Sequence, residues 1–180
     1  ANADKHHGSY VALFNERSEQ MAKILGITDA NGKSVIHRDV RCIACHSGIP
    51  IRELEMDENH KGLITEAMVT ENTLNRGVSC EGCHGPAGET DDYRGWETKH
   101  ISKREWRFLD PHEKAEKYGY FDVRSPVSRT RMCLSCHVGN VREGRVVTHE
   151  MYAAGHPPLP GFELETFSAQ EPEHWRNFQA

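Results

Sequence analysis

Apolar residues recur at helical spacing in only a few stretches of this chain, and those stretches are short. In SYVALFNERSEQMAKILG, residues 9–26, Val11, Phe14, Met21 and Leu25 form a stripe suited to one face of a helix, with Gly26 as its C-terminal stop. A second helix is predicted from His60 to Arg76, with Leu63, Ile64, Ala67, Met68 and Leu74 apolar and Gly77 ending it. DPHEKAEKYG, residues 110–119, reads as a short helix with its own punctuation: Asp110 as N-cap, Pro111 at the first position, Glu113 completing a capping box and Gly119 at the end. In VTHEMYAAGHPPLPG, His149 and His156 stand seven residues apart, nearly on one face if the residues between them are helical. Pro157 and Pro158 then force an extended exit. The expected fold class is mainly α with much irregular structure.

Composition narrows the partners. No run approaches the roughly 18 apolar residues that a membrane helix needs, so no membrane span is expected in this chain. The net charge of −5, with basic residues scattered, gives no reason to expect nucleic acid. At 37% hydrophobic over 180 residues, a conventional core would be thin. The first residue is not methionine, which fits a targeting segment removed before Ala1.

Cysteine and histidine change the picture most. All six cysteines fall in three pairs of one form: Cys42-Ile43-Ala44-Cys45-His46, Cys80-Glu81-Gly82-Cys83-His84 and Cys133-Leu134-Ser135-Cys136-His137. At these residue frequencies chance would produce C-x-x-C-H on the order of 0.01 times in the chain. A redox dithiol needs one such pair and no histidine after it. A structural zinc site would join two pairs and strand the third, and disulfides within pairs would close tiny loops for little gain.

Haem attachment accounts for every position. Two sulfurs add across the porphyrin vinyl groups as thioethers, the spacer sets their separation, and the adjacent imidazole is held under the iron. The motifs predict three covalently bound haem c groups, anchored by Cys42, Cys45, Cys80, Cys83, Cys133 and Cys136 and ligated by His46, His84 and His137. At 60 residues per haem (180/3), the macrocycles themselves would form much of the apolar interior. Such attachment is completed outside the cytoplasm, so a periplasmic or extracellular location is expected.

Nine of the twelve histidines remain for the sixth positions: His6, His7, His37, His60, His100, His112, His149, His156 and His174. Methionine is the other usual ligand, but the histidine excess favours bis-histidine ligation and lower potentials. His6 and His7 stand at the head of the first predicted helix, either facing a haem or at a solvated end. His112 is expected to be exposed, since helix-start chemistry accounts for its surroundings. His37, His60 and His174 sit among polar residues without a special signal. A ligand is expected from the pair His149 and His156, with His149 ahead, where Ala153, Ala154 and Gly155 would let a flat macrocycle approach the backbone; a structural turn is the competing reading. Trp96 and Trp106, on either side of His100, are core aromatics or haem contacts.

GVSCEGCHGPAG, residues 77–88, resembles a haem motif of the multihaem cytochromes related to cytochrome c-554, and DKHHGSY, CLSCHVG and THEMYAAGHPPL resemble further pieces of that group. The resemblance spans most of residues 4–160. It implies that His6 caps the haem at His137 and that His149 or His156 caps the haem at His84. His100 matches a histidine that caps a first haem of the family whose C-x-x-C-H is absent here, so it caps the haem at His46, stays free or ligates a haem in another chain. The resemblance also implies that the His46 haem can lack a protein sixth ligand.

The chain is therefore expected to be one trihaem cytochrome c domain, residues 1–180, wrapped around its haems and passing single electrons between redox protein partners. Two alternatives stay open. One is an enzyme acting on a small nitrogen or sulfur species at an open haem, with Arg38 and Arg41 near His46 to attract an anion. The other is a subunit of a haem-lined assembly, an oligomer in which His100 or His6 completes a neighbour's haem.

Overall fold

The computed structural model describes residues 5–48, 62–71, 74–90, 93–97 and 101–170. Among these the chain forms nine α-helices: α1 Glu16–Leu25, α2 Val40–His46, α3 Glu66–Glu71, α4 Cys80–His84, α5 Lys103–Phe108, α6 Pro111–Tyr118, α7 Pro126–His137, α8 His149–Ala153 and α9 Leu164–Gln170. Short 3-10 turns join several of them. Strands are absent among the described residues, which hold only isolated bridges such as Asp39 with Leu63. The fold is mainly helical, as the hydrophobic pattern predicts.

The first predicted helix is split in two. Asn15 is extended (φ −82°, ψ 166°) and its side chain accepts from Ser18 N at 2.9 Å, so it caps α1 and separates it from a 3-10 turn at Val11–Phe14. The break rotates the preceding stripe: Val11 and Phe14 face outward, while Leu13, Met21 and Ala22 enter the core. Gly26 ends the helix at φ 70° as expected.

The second predicted helix begins later than its pattern implies. His60 lies outside the described residues, and Gly62–Ile64 run extended beside Arg38–Val40, with Val40 N donating to Gly62 O and Ile64 N to Arg38 O at 3.0 Å each. Backbone pairing wins there, and α3 starts only at Glu66. Gly77 has φ 73° and lies against the N-terminal segment; a Cβ there would sit 2.5 Å from His6 O and 2.8 Å from His7 O.

α6 has the predicted bounds, with Asp110 accepting from His112 N and Gly119 left-handed at its end. Glu113 closes no capping box; its carboxylate accepts from Lys117 instead. The capping box belongs to α5, where Ser102 and Glu105 exchange hydrogen bonds. His112 is exposed and pairs with Glu116 at 3.2 Å. α8 is only five residues long, so His149 at its first position and His156 beyond Gly155 (φ 108°) share no helix face.

The packed core is one-sided. Apart from Ala154, its buried members, including Leu13, Met21, Ile36, Val40, Ile43 and Leu74, come from the first 74 residues. In α7, twelve residues long, only Ser135 is buried. A helix with so little of a face against protein needs another apolar surface, and what α7 borders is a cavity.

Candidate haem-binding site

Each motif occupies the last turn of a helix: α2 and α7 end at His46 and His137, and α4 is the motif itself. The reason for the C-x-x-C-H spacing is then geometric. Positions i, i+3 and i+4 lie on one helix face, so two sulfurs and an imidazole project together. All six cysteines and all three histidines line one cavity of about 990 Å³, at the upper end of the roughly 300–1,000 Å³ of ordinary ligand sites. Leu13, Met21, Ile36, Val78, Phe162 and Phe167 supply apolar wall. None of the six cysteines is in a disulfide. Among the described residues no group of three or more His, Cys, Asp or Glu converges as a zinc site requires.

Hydrogen bonds fix the imidazole tautomers. His46 Nδ1 meets Ser9 O at 2.7 Å and His84 Nδ1 meets Phe121 O at 3.1 Å. A carbonyl only accepts, so the proton is on Nδ1 and Nε2 keeps its lone pair for a metal. His156 has the same arrangement, Nδ1 donating to Pro157 O at 2.7 Å. His37 is the opposite case: its Nε2 is spent on Glu66 Oε1 at 2.9 Å.

His137 has a buried Nδ1 without a hydrogen-bond partner, a polar group left in an apolar wall. Its ring centre is 6.2 Å from that of His6, with the planes at 86°. Two metal–nitrogen bonds of about 2 Å each, in line, leave imidazole centres about 6 Å apart, so this pair fits a metal held between its members. Phe162 and Phe167 flank His137 at 5.4 Å each. At the second motif Tyr120 stacks on His84 at 5.1 Å and 5°, and Trp96 donates from Nε1 to Gly85 O at 2.7 Å.

The thiols report how near the motifs lie to one another. The Cys45 and Cys136 thiols interact, which raises Cys45 and lowers Cys136 to about 6. Burial pushes Cys42 up to about 12. These sulfurs stand for the thioether atoms of attached haems, so the anchors of the first and third motifs are neighbours on the cavity wall. Burial lowers His46, a hydrogen bond to Ser9 opposes that, and the nearby His156 lowers it further.

The other predicted site residues are placed as follows. His6 and His156 line the cavity. His149, expected ahead of His156, is exposed on α8 and outside the lining. The resemblance implied His84 as the partner of His149 or His156; His156 is near enough to His46 to lower its imidazole. His100 and His174 lie outside the described residues. Arg41 is committed to Asp39, with Nε–Oδ1 at 2.8 Å, and Arg38 Nε donates to Ile64 O at 2.6 Å. Trp106 packs on Tyr118 and Tyr120 rather than on a motif histidine.

Two residues carry the site without a sequence signal. Ser9 Oγ lies 2.6 Å from His6 O and 2.7 Å from His46 O, with its single proton shared between them, and accepts from Val78 N at 3.2 Å, tying the N-terminal segment to the first motif and to the approach to the second. Arg145, 2% exposed, reaches backbone of the first motif and Ser135 of the third. Its partners are 101 residues away at Ala44 and 10 at Ser135, beyond any local pattern.

Three helix-borne C-x-x-C-H faces on one apolar cavity are what covalent attachment of haem c, the cofactor of c-type cytochromes in electron transport, requires of a chain. Residues 2–85, a little under half of the chain, match the family model described as cytochrome c554 and c-prime. Over those residues, which include His6 and the first two motifs, the chain resembles that family of c-type cytochromes. No curated protein and no solved structure matches it. No helix among the described residues is long and apolar enough to cross a membrane.

Proposed function

We propose that the chain is a trihaem electron carrier of the periplasm or extracellular space, passing single electrons between redox protein partners as one domain. The observation that carries this reading is the shared cavity, whose wall holds the cysteines of all three motifs. When bound, haem supplies a one-electron change at iron. The chain's residues do the rest. Cys42 and Cys45, Cys80 and Cys83, and Cys133 and Cys136 anchor; His46, His84 and His137 ligate from Nε2. Ser9 O and Phe121 O hold two of those rings in tautomer and orientation. His6 would serve as the second histidine ligand of the haem held by His137, supported by the 6.2 Å ring separation. His156 would serve the haem held by His46, supported by its Nδ1 bond to Pro157 O and its electrostatic influence on His46. The apolar wall keeps water from the irons, which limits reorganisation when charge changes.

Absorption and EPR spectra with and without CO test this assignment. Irons that are low-spin and ignore CO are expected at His46 and His137. A CO-binding iron at His46 would contradict the placement of His156 and favour the enzyme reading, in which a small nitrogen or sulfur species reacts there. The commitment of Arg38 and Arg41 to Ile64 O and Asp39 weighs against an anion site at that position.

A further inference from the structure

The spacer residues of the first and third motifs are gripped by one side chain. Arg145 Nε donates to Ala44 O at 3.1 Å, and Ala44 lies between Cys42 and Cys45. Its Nη1 donates to Ser135 Oγ at 2.6 Å, and Ser135 lies between Cys133 and Cys136. Its Nη2 donates to Gly48 O at 3.0 Å, just beyond His46. Glu143 Oε2 accepts from Nη1 at 2.8 Å and lies nearer to solvent, its side chain 26% exposed against 3% for Arg145. A planar guanidinium with a fork of donors can span these acceptors at once, which an ammonium cannot.

We propose that Arg145 is a positioning residue that sets the close approach of the haems at His46 and His137 and, through its buried charge, raises the reduction potential of both. This rests on the trihaem reading above. Cys45 follows directly on Ala44 and Cys136 on Ser135, so the guanidinium spans the residues next to one anchor of each of the two motifs. Reduction adds an electron to each centre, and a cation held in a low-dielectric wall favours the reduced form. Glu143 opposes that field, so the pair gives two handles of opposite sign.

The experiment uses the haem-loaded protein. Anaerobic redox titration followed by absorption and EPR is run on wild type, Arg145→Lys, Arg145→Gln and Glu143→Gln. Arg145→Lys keeps the charge and loses the fork, so the magnetic interaction between two ferric haems changes. Arg145→Gln shifts two of the three potentials downward, and Glu143→Gln shifts the same two upward, with the His84 haem unmoved in both. Glu143→Gln decides the electrostatic part if Arg145→Gln fails to mature. The inference is overturned if wild type carries three haems but the variants leave potentials and inter-haem interaction as they were, or move all three potentials alike. A wild type with fewer than three haems would instead overturn the trihaem reading itself.

Discussion

Ser9 joins three pieces of chain through a single hydroxyl, and its own carbonyl orients His46. Ser9→Ala removes one donor and one acceptor from a half-buried site, and a loss of about 1–3 kcal/mol is expected in chemical denaturation. Asp122 gives a pH signature. Hydrogen bonds from Arg124, in the first place, hold its carboxyl below its ordinary value, with burial opposing. The charged form is therefore favoured in the folded protein; its contribution is complete above the unfolded pKa near 4 and is lost as pH falls through the lower folded value. Arg124 is largely exposed, so the contribution is about 1 kcal/mol or less. Asp122→Asn should reduce stability at pH 7 and flatten the part of the acid-denaturation profile just below pH 4. At this scale the cysteines and proximal histidines were legible because their spacing is local. Arg145 was not, because its acceptors at Ala44 and Gly48 come from 101 and 97 residues away.

Among elements, each motif helix ends where its histidine is delivered. Gly85 follows His84 at φ 81°, and a Cβ there would collide with the carbonyl of Gly119 in the segment that brings Tyr120 and Phe121 to His84. Gly85→Ala should therefore disturb the second haem alone, seen as a changed low-spin EPR signal for one iron of three. Leu74, 1% exposed, packs in the core just ahead of α4, and its carbonyl accepts from Ser47 Oγ at 3.1 Å. Leu74→Ala should cost about 2–5 kcal/mol in denaturant unfolding. The helix pattern could be read where caps are local, as at Asp110 and Gly119. It misled where a neighbour intervened: Asn15 broke one apolar run, and pairing with Arg38–Val40 kept Gly62–Ile64 extended. The seven-residue interval from His149 to His156 held no information about where α8 stops, so it did not show that His149 is exposed while His156 lines the cavity.

For the whole molecule, the asymmetry of the core carries the argument. Protein packs against protein mostly in the first 74 residues, while α7 and α9 face a large apolar cavity. In the proposed trihaem reading, the thin hydrophobic composition and the 990 Å³ space have one cause: macrocycles would complete the interior. The measurement that tests this most directly is the intact mass of the denatured holoprotein after treatment with a thiol-alkylating reagent. The account predicts the chain plus three haem masses and no alkylation, since all six sulfurs are thioethers. A mass with two haems or fewer, or any motif whose cysteine pair takes up the reagent, would contradict it.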